Sequence, residues 1–204
     1  MTDTAEAGSG TGGVSRPAAR RGKRDRLIAA AGEVMYANGV NGTSLADIAA
    51  AADVPLGNVY YYFRTKDDLV QAVVQDHLDM AAGLLAAIDA ESADPAQRLK
   101  SLFGALAGDG GQIARYGCPL GSLCMELDKR AVGPGAAADL MRAPLTWLER
   151  QFTALGRPDA RDLAMEVMAR YQGAALLTST LRDPAVMATA TSRAAAWIDS
   201  LTAE

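Results

Sequence analysis

The stretch Val54-Pro55-Leu56-Gly57-Asn58-Val59-Tyr60-Tyr61-Tyr62-Phe63-Arg64-Thr65-Lys66-Asp67-Asp68-Leu69 decides how the chain is read. Proline fits the first turn of a helix and little else within one, so a short helix starts near Pro55 and runs to about Tyr61. Val59 and Phe63 stand four residues apart and face inward together. Leu56, Gly57 and Asn58 occupy the first turn. Three consecutive tyrosines cover too much of the helix circumference for all of them to be buried. Thr65 then caps the next helix, with Asp68 at the position that completes a capping box.

Upstream, Thr43-Ser44-Leu45-Ala46-Asp47-Ile48-Ala49 repeats the capping signal. Ser44 is the cap, Asp47 is its boxed partner, and Leu45, Ile48, Ala49 and Ala52 form an apolar side. Before it, Leu27, Ala30, Ala31, Val34 and Met35 recur at helical spacing from Lys23 to a stop at Asn38-Gly39. Three helices within about forty residues, the last two joined tightly, are the layout of a helix-turn-helix. In such a unit the first turn of the third helix meets base edges in the major groove. Asn58 can bond adenine in bidentate fashion, and Gly57 lets the backbone come close. Exposed tyrosine hydroxyls and helix N-termini can donate to phosphate.

The charge distribution points to the same end. Of the net −4, residues 1–66 carry eight Lys/Arg against six Asp/Glu, or +2, which leaves −6 for residues 67–204. Arg16, Arg20, Arg21, Lys23, Arg24 and Arg26 are met within their segment only by Asp25. A basic arm on an acidic body is the footprint of local phosphate attraction. Charge alone fits a solvated tail equally well.

Residues 23–70 thus resemble the DNA-binding domain of TetR-family repressors. The resemblance implies an all-α homodimer on a palindromic double-stranded DNA operator, with a larger C-terminal helical domain that binds a small effector and releases DNA. By position it assigns phosphate contacts to Thr43 or Ser44, Tyr61, Tyr62 and Lys66, and base-facing places to Leu56, Gly57 and Asn58. Arg20, Arg21 and Lys23 of the basic arm join them. Pro55 stands where the family often has a serine cap.

Further helices are expected from Asp94-Pro95 to Ala107, from Cys118 to Arg130, from Ala136 to Leu155, from Pro158 to about Leu181 and from Pro184 to about Leu201, with breaks at Gly108–Gly111 and Gly133–Gly135. The domains expected are a disordered tail over 1–19, a helix-turn-helix domain over 20–68 and an effector-binding and dimerisation domain over 69–204. Adaptable, Met-rich linings suit an apolar or planar effector. The candidate ligand contacts are Phe103, Leu106, Tyr116, Cys118, Leu123, Met141, Leu145, Phe152, Met168 and Tyr171. Small residues in the last two helices, Gly173 to Ala175 and Ala188, Ala190 and Ala194 to Ala196, suggest a four-helix dimer contact.

The segment Tyr116-Gly117-Cys118-Pro119-Leu120-Gly121-Ser122-Leu123-Cys124 is similar to one in a TetR subgroup of flavonoid- and electrophile-responsive repressors. There a cysteine after this glycine senses thiol-reactive compounds, which makes Cys118 either a sensor or a buried thiol acting as a small hydrophobe. Two cysteines and one histidine offer no disulfide framework or metal cage, and no cofactor is expected. His77, beside Asp76 and Asp79, has no second ligand at metal spacing, so an enzyme is not expected. The N-terminus lacks a signal peptide and no run of eighteen apolar residues exists, so a cytoplasmic protein without a membrane span is expected.

Overall fold

The computed structural model describes residues 22–130 and 135–202. The tail over 1–19, Arg20, Arg21 and the expected break at Gly133-Pro134 lie outside the described residues. Among the described residues there are ten α-helices: α1 Lys23–Asn38, α2 Leu45–Ala51, α3 Leu56–Tyr62, α4 Lys66–Glu91, α5 Pro95–Gly108, α6 Gly110–Tyr116, α7 Pro119–Arg130, α8 Ala136–Ala154, α9 Ala160–Leu181 and α10 Pro184–Thr202. No strand occurs among the described residues, and no helix there is long and apolar enough to cross a membrane.

Local chemistry sets the helix starts. Ser44 accepts from the Asp47 N–H while the Asp47 carboxylate accepts from the Ser44 N–H, and Thr65 and Asp68 form the same reciprocal pair. The Asp94 carboxylate caps α5 ahead of Pro95. The α1 helix ends at Gly39, whose φ of 76° suits glycine, and a Cβ there would lie 2.8 Å from a carboxylate oxygen of Glu126.

One element departs from the expectation. A separate helix, α6, occupies part of the expected Gly108–Gly111 break, which narrows to Asp109. Gly110 is buried, with the Pro184 carbonyl 3.5 Å from where its Cβ would stand, so this glycine serves helix packing rather than a turn. Ile113 and Ala114 then bury the new helix. In α8, Pro144 lies inside a continuous helix and denies the Leu140 carbonyl its usual donor.

The helices bury three apolar clusters. The first holds Leu27, Ile48, Val59, Phe63, Leu69 and Val73 of α1 to α4, and is closed by Leu123, Cys124, Leu127 and Leu140 of α7 and α8. The second joins Leu85 and Ile88 to Leu99, Phe103, Trp147, Phe152, Leu163 and Ile198. The third is small: Ile113, Cys118, Ala174, Ala175 and Met187. Helix α4 has 26 residues and so spans about 39 Å; its N-terminal half packs in the first cluster and its C-terminal half in the second. Movement of α4 therefore acts on both. Asp89, near its C-terminus, accepts from Trp147 Nε1 at 3.1 Å and from Arg150 Nη2 at 2.6 Å, which binds α4 to α8.

Candidate nucleic-acid interface and effector cavity

Helix α3 and its C-cap bury Val59 and Phe63, whereas Leu56, Gly57, Tyr60 and Tyr61 are exposed. Tyr61 is 83% exposed, Tyr60 55% and Leu56 42%. Tyr62 is half-buried and makes an edge contact with Tyr61, ring centroids 5.0 Å apart. A Cβ at Gly57 would meet no protein atom within 4 Å, so the first turn is open to an approaching surface. Asn58 is half-buried; its N–H bonds the Pro55 carbonyl at 2.8 Å, as one turn of helix requires.

The proposed phosphate contacts separate by environment. Lys23 is exposed at the start of α1. Thr43 is buried, and its hydroxyl donates to the Gly39 carbonyl at 2.8 Å, so its side chain closes the α1–α2 loop. Ser44 is exposed at the N-terminus of α2, and Thr65 and Lys66 are at that of α4. The hydrogen bonds from Ser44, and to a smaller extent the Lys66 charge, hold the Asp47 carboxyl below its ordinary pKa. Arg24 lies over the Phe63 ring, 5.5 Å from the centroid.

The larger domain contains a cavity of about 340 Å³ between α5, α9 and α10. Phe103 and Tyr171 line it, together with Arg170, Met187, Arg193 and Trp197. The other expected ligand contacts lie elsewhere. Phe152 is fully buried in the second cluster, where Leu106 and Met168 pack against it. Leu123 belongs to the first cluster, with Met141 against it, and Leu145 is half-buried on α8. Tyr116 is half out in solvent, in a second cleft with Tyr36, Arg115 and Arg182. Cys118 is buried beside the cavity wall; its Sγ accepts from the Gly121 N–H at 3.3 Å and from Gln172 Nε2 at 3.6 Å.

Two contacts fasten the reading head to the larger domain, and neither was anticipated. The Tyr36 hydroxyl donates to the Gly117 carbonyl at 2.5 Å, and its ring meets Tyr116 edge-on at 5.2 Å. Glu126 of α7 accepts from the Val40 N–H at 2.6 Å and the Asn41 N–H at 3.3 Å. Burial, and then the neighbouring Cys118, push the Tyr36 phenol up to about 12, and the same two causes raise Tyr171 further. Both phenols stay protonated.

Residues 27–73, the span from α1 into α4, match the family described as bacterial regulatory proteins, tetR family. This span is similar to the DNA-binding domain of that family. An HTH-type transcriptional regulator from the lacX 3' region of Lactococcus lactis subsp. lactis is 28% identical over 179 residues, covering 80% of this chain and 86% of the relative. The HTH-type transcriptional repressor DhaR from Mycobacterium sp. (strain GP1) is 29% identical, covering 78% and 83%. A TetR transcriptional regulator from Legionella pneumophila superposes with a TM-score of 0.76 at 21% identity, over 89% of this chain and 98% of that one. The TetR-type fold therefore extends through both domains. Each of these relatives is described as a regulator of transcription.

Proposed function

We propose that the protein is a ligand-responsive repressor that binds a palindromic operator as a homodimer and leaves it when a small apolar or planar effector fills the α5/α9/α10 cavity. The observation that carries the reading is the open first turn of α3: Leu56 and Gly57 are exposed beside Asn58, while Val59 and Phe63 anchor the opposite face. In the groove, Asn58 bonds a base edge, and Tyr61, Tyr62, Ser44 and Lys66 hold phosphates with Arg20, Arg21 and Lys23. One short helix reads few base pairs, so two copies about 34 Å apart are needed.

The outer surfaces of α9 and α10 supply the pairing. Met165, Leu176, Leu177 and Leu181 are exposed on α9, next to exposed Ala185 and Ala188 on α10. Ala174 and Ala175 are instead spent inside the chain, and Ala190 and Ala194 face the cavity.

The cavity reaches the reading head through a short series of contacts. Tyr171 lines it, Cys118 adjoins Tyr171, and Gly117, the next residue, takes the Tyr36 hydrogen bond. An effector that binds the DNA-free arrangement better shifts the population along this route. The test is fluorescence anisotropy on duplexes tiling the promoter next to the gene. A palindromic duplex should bind, and Asn58→Ala should weaken it about tenfold or more while non-specific DNA is unaffected. Equal loss on both DNAs overturns the base-reading role.

A second reading rests on the same junction. If Cys118 adds across the carbon–carbon double bond of a Michael acceptor, the sulfur–carbon bond forms at one carbon and the thiol proton ends on the other. The added bulk lies one residue from the Tyr36–Gly117 bond. Operator release by such a compound should then be lost in Cys118→Ser; release that persists discards this reading.

A further inference from the structure

We propose that the cavity selects an organic anion, a carboxylate on a planar or alicyclic apolar skeleton, with Arg193 receiving the charge. The inference rests on reading the cavity as the effector site and adds the chemical class of the effector. Its wall is largely apolar: Phe103, Val167, Ala174, Met187, Ala190, Ala194 and Trp197. Among the described residues, the two charged ones that line it are both cations, Arg170 and Arg193, and no Asp or Glu does. An apolar slot with uncompensated positive charge is complementary to an apolar body with one negative group.

The two arginines differ in what they already hold. Arg170 bonds Glu166 at 2.5 Å and lies over the Trp197 ring, 4.9 Å from its centroid. Its charge is balanced and its plane is fixed. Arg193 makes no ion pair among the described residues. The neighbouring Thr191 hydroxyl is used within α10, bonding the Met187 carbonyl at 2.9 Å and the Ala188 carbonyl at 3.1 Å. That leaves the Arg193 guanidinium as the strongest unassigned donor on the wall. Its planar fork matches a carboxylate with two parallel hydrogen bonds. A single free guanidinium balances a monoanion, and the aromatic walls, Phe103 and Trp197, suit a ring.

The experiment uses the full-length protein and two probes with one skeleton, naphthalene-2-carboxylate and naphthalene-2-carboxamide, titrated by calorimetry. The carboxylate should bind about tenfold tighter than the amide. In Arg193→Gln that preference should vanish through loss of carboxylate affinity alone, and Arg193→Lys should restore part of it. Arg193 is exposed on α10, and an unchanged far-UV circular dichroism spectrum checks that each variant folds. An amide that binds as well as the acid, or a preference that survives Arg193→Gln, overturns the anion assignment and leaves the cavity as an effector site. Failure of both probes to bind folded wild type overturns the assignment and the cavity reading together.

Discussion

The Tyr36 hydroxyl donates to the Gly117 carbonyl across 2.5 Å, joining residues 81 positions apart and two domains. Tyr36 stands in the last turns of α1, and Gly117 is the C-cap of α6. A strong bond at a half-buried site is a constraint on the angle between those helices. Tyr36→Phe removes the bond and keeps the ring against Tyr116. Unfolding free energy should fall by about 1 kcal/mol, with the operator still bound. Ligand-induced release should become weaker, because the α6–α7 turn no longer pulls on α1. Operator titrations with and without ligand measure this; unchanged coupling would remove Tyr36 from the route.

The same phenol carries a pH signature. Its pKa lies near 12 in the folded chain, against an ordinary 10.0, chiefly because of burial. Between those values the unfolded chain gives up a proton that the native chain keeps. Stability is therefore full below pH 10 and declines as pH rises from about 10 to 12. Tyr171, shifted in the same direction, adds to the decline. Urea unfolding at intervals across this window should show a shallower decline in Tyr36→Phe than in wild type.

Gly57 separates folding from recognition. It lies in a helix, with nothing of the protein near the position of a Cβ. Alanine there should raise stability by about 0.5–1 kcal/mol through helix propensity. Operator affinity should nonetheless fall, since the new methyl group projects into the space the bases are to occupy. A Gly57→Ala protein that melts higher and still binds the operator as wild type would place the groove contact elsewhere.

What could be read in advance was local. The Ser44–Asp47 and Thr65–Asp68 boxes lie within four residues, so their chemistry is visible in the string itself, as is the inward pairing of Val59 with Phe63. Long-range partners were not visible. Gly110 looks like a helix breaker until Pro184, far along the chain, fills the space its missing side chain leaves. The small residues of α10 suggested a subunit contact, whereas Ala190 and Ala194 leave room for the cavity. Phe103 and Tyr171 meet there, but Arg170, Arg193 and Trp197 could be assigned only once α9 and α10 were placed together. Tyr36 and Glu126 carry no motif at all; their importance is set by what stands opposite them.

Asp89 tests the stiffness of the C-terminal half of α4. Its carboxylate holds Trp147, Arg150 and, through an ion pair of 3.6 Å, Arg98 of α5. Removing it leaves the indole N–H of buried Trp147 without its acceptor. Asp89→Ala should cost about 2 kcal/mol, lowering Tm by roughly 5 °C. Asp89→Asn keeps an acceptor for Trp147 and should cost less. Thermal unfolding followed by circular dichroism distinguishes them, and equal losses would assign the effect to charge rather than to the indole bond.

Leu177 decides whether the outer face of α9 is a subunit contact. It is exposed beside Leu176 and Leu181, and within the chain it contributes little to any core. A solvent-facing glutamate at such a position costs a monomer almost nothing. Buried against a second copy, an unpaired carboxylate would be expensive enough to break the pair. Leu177→Glu should therefore leave helical content and monomer melting nearly unchanged, and shift the light-scattering mass from two chains to one. Operator affinity should fall steeply with it, since each subunit then holds only its own half-site. A Leu177→Glu protein that remains a dimer of full affinity would move the interface off this face of α9, and with it the geometry that spaces the two α3 helices.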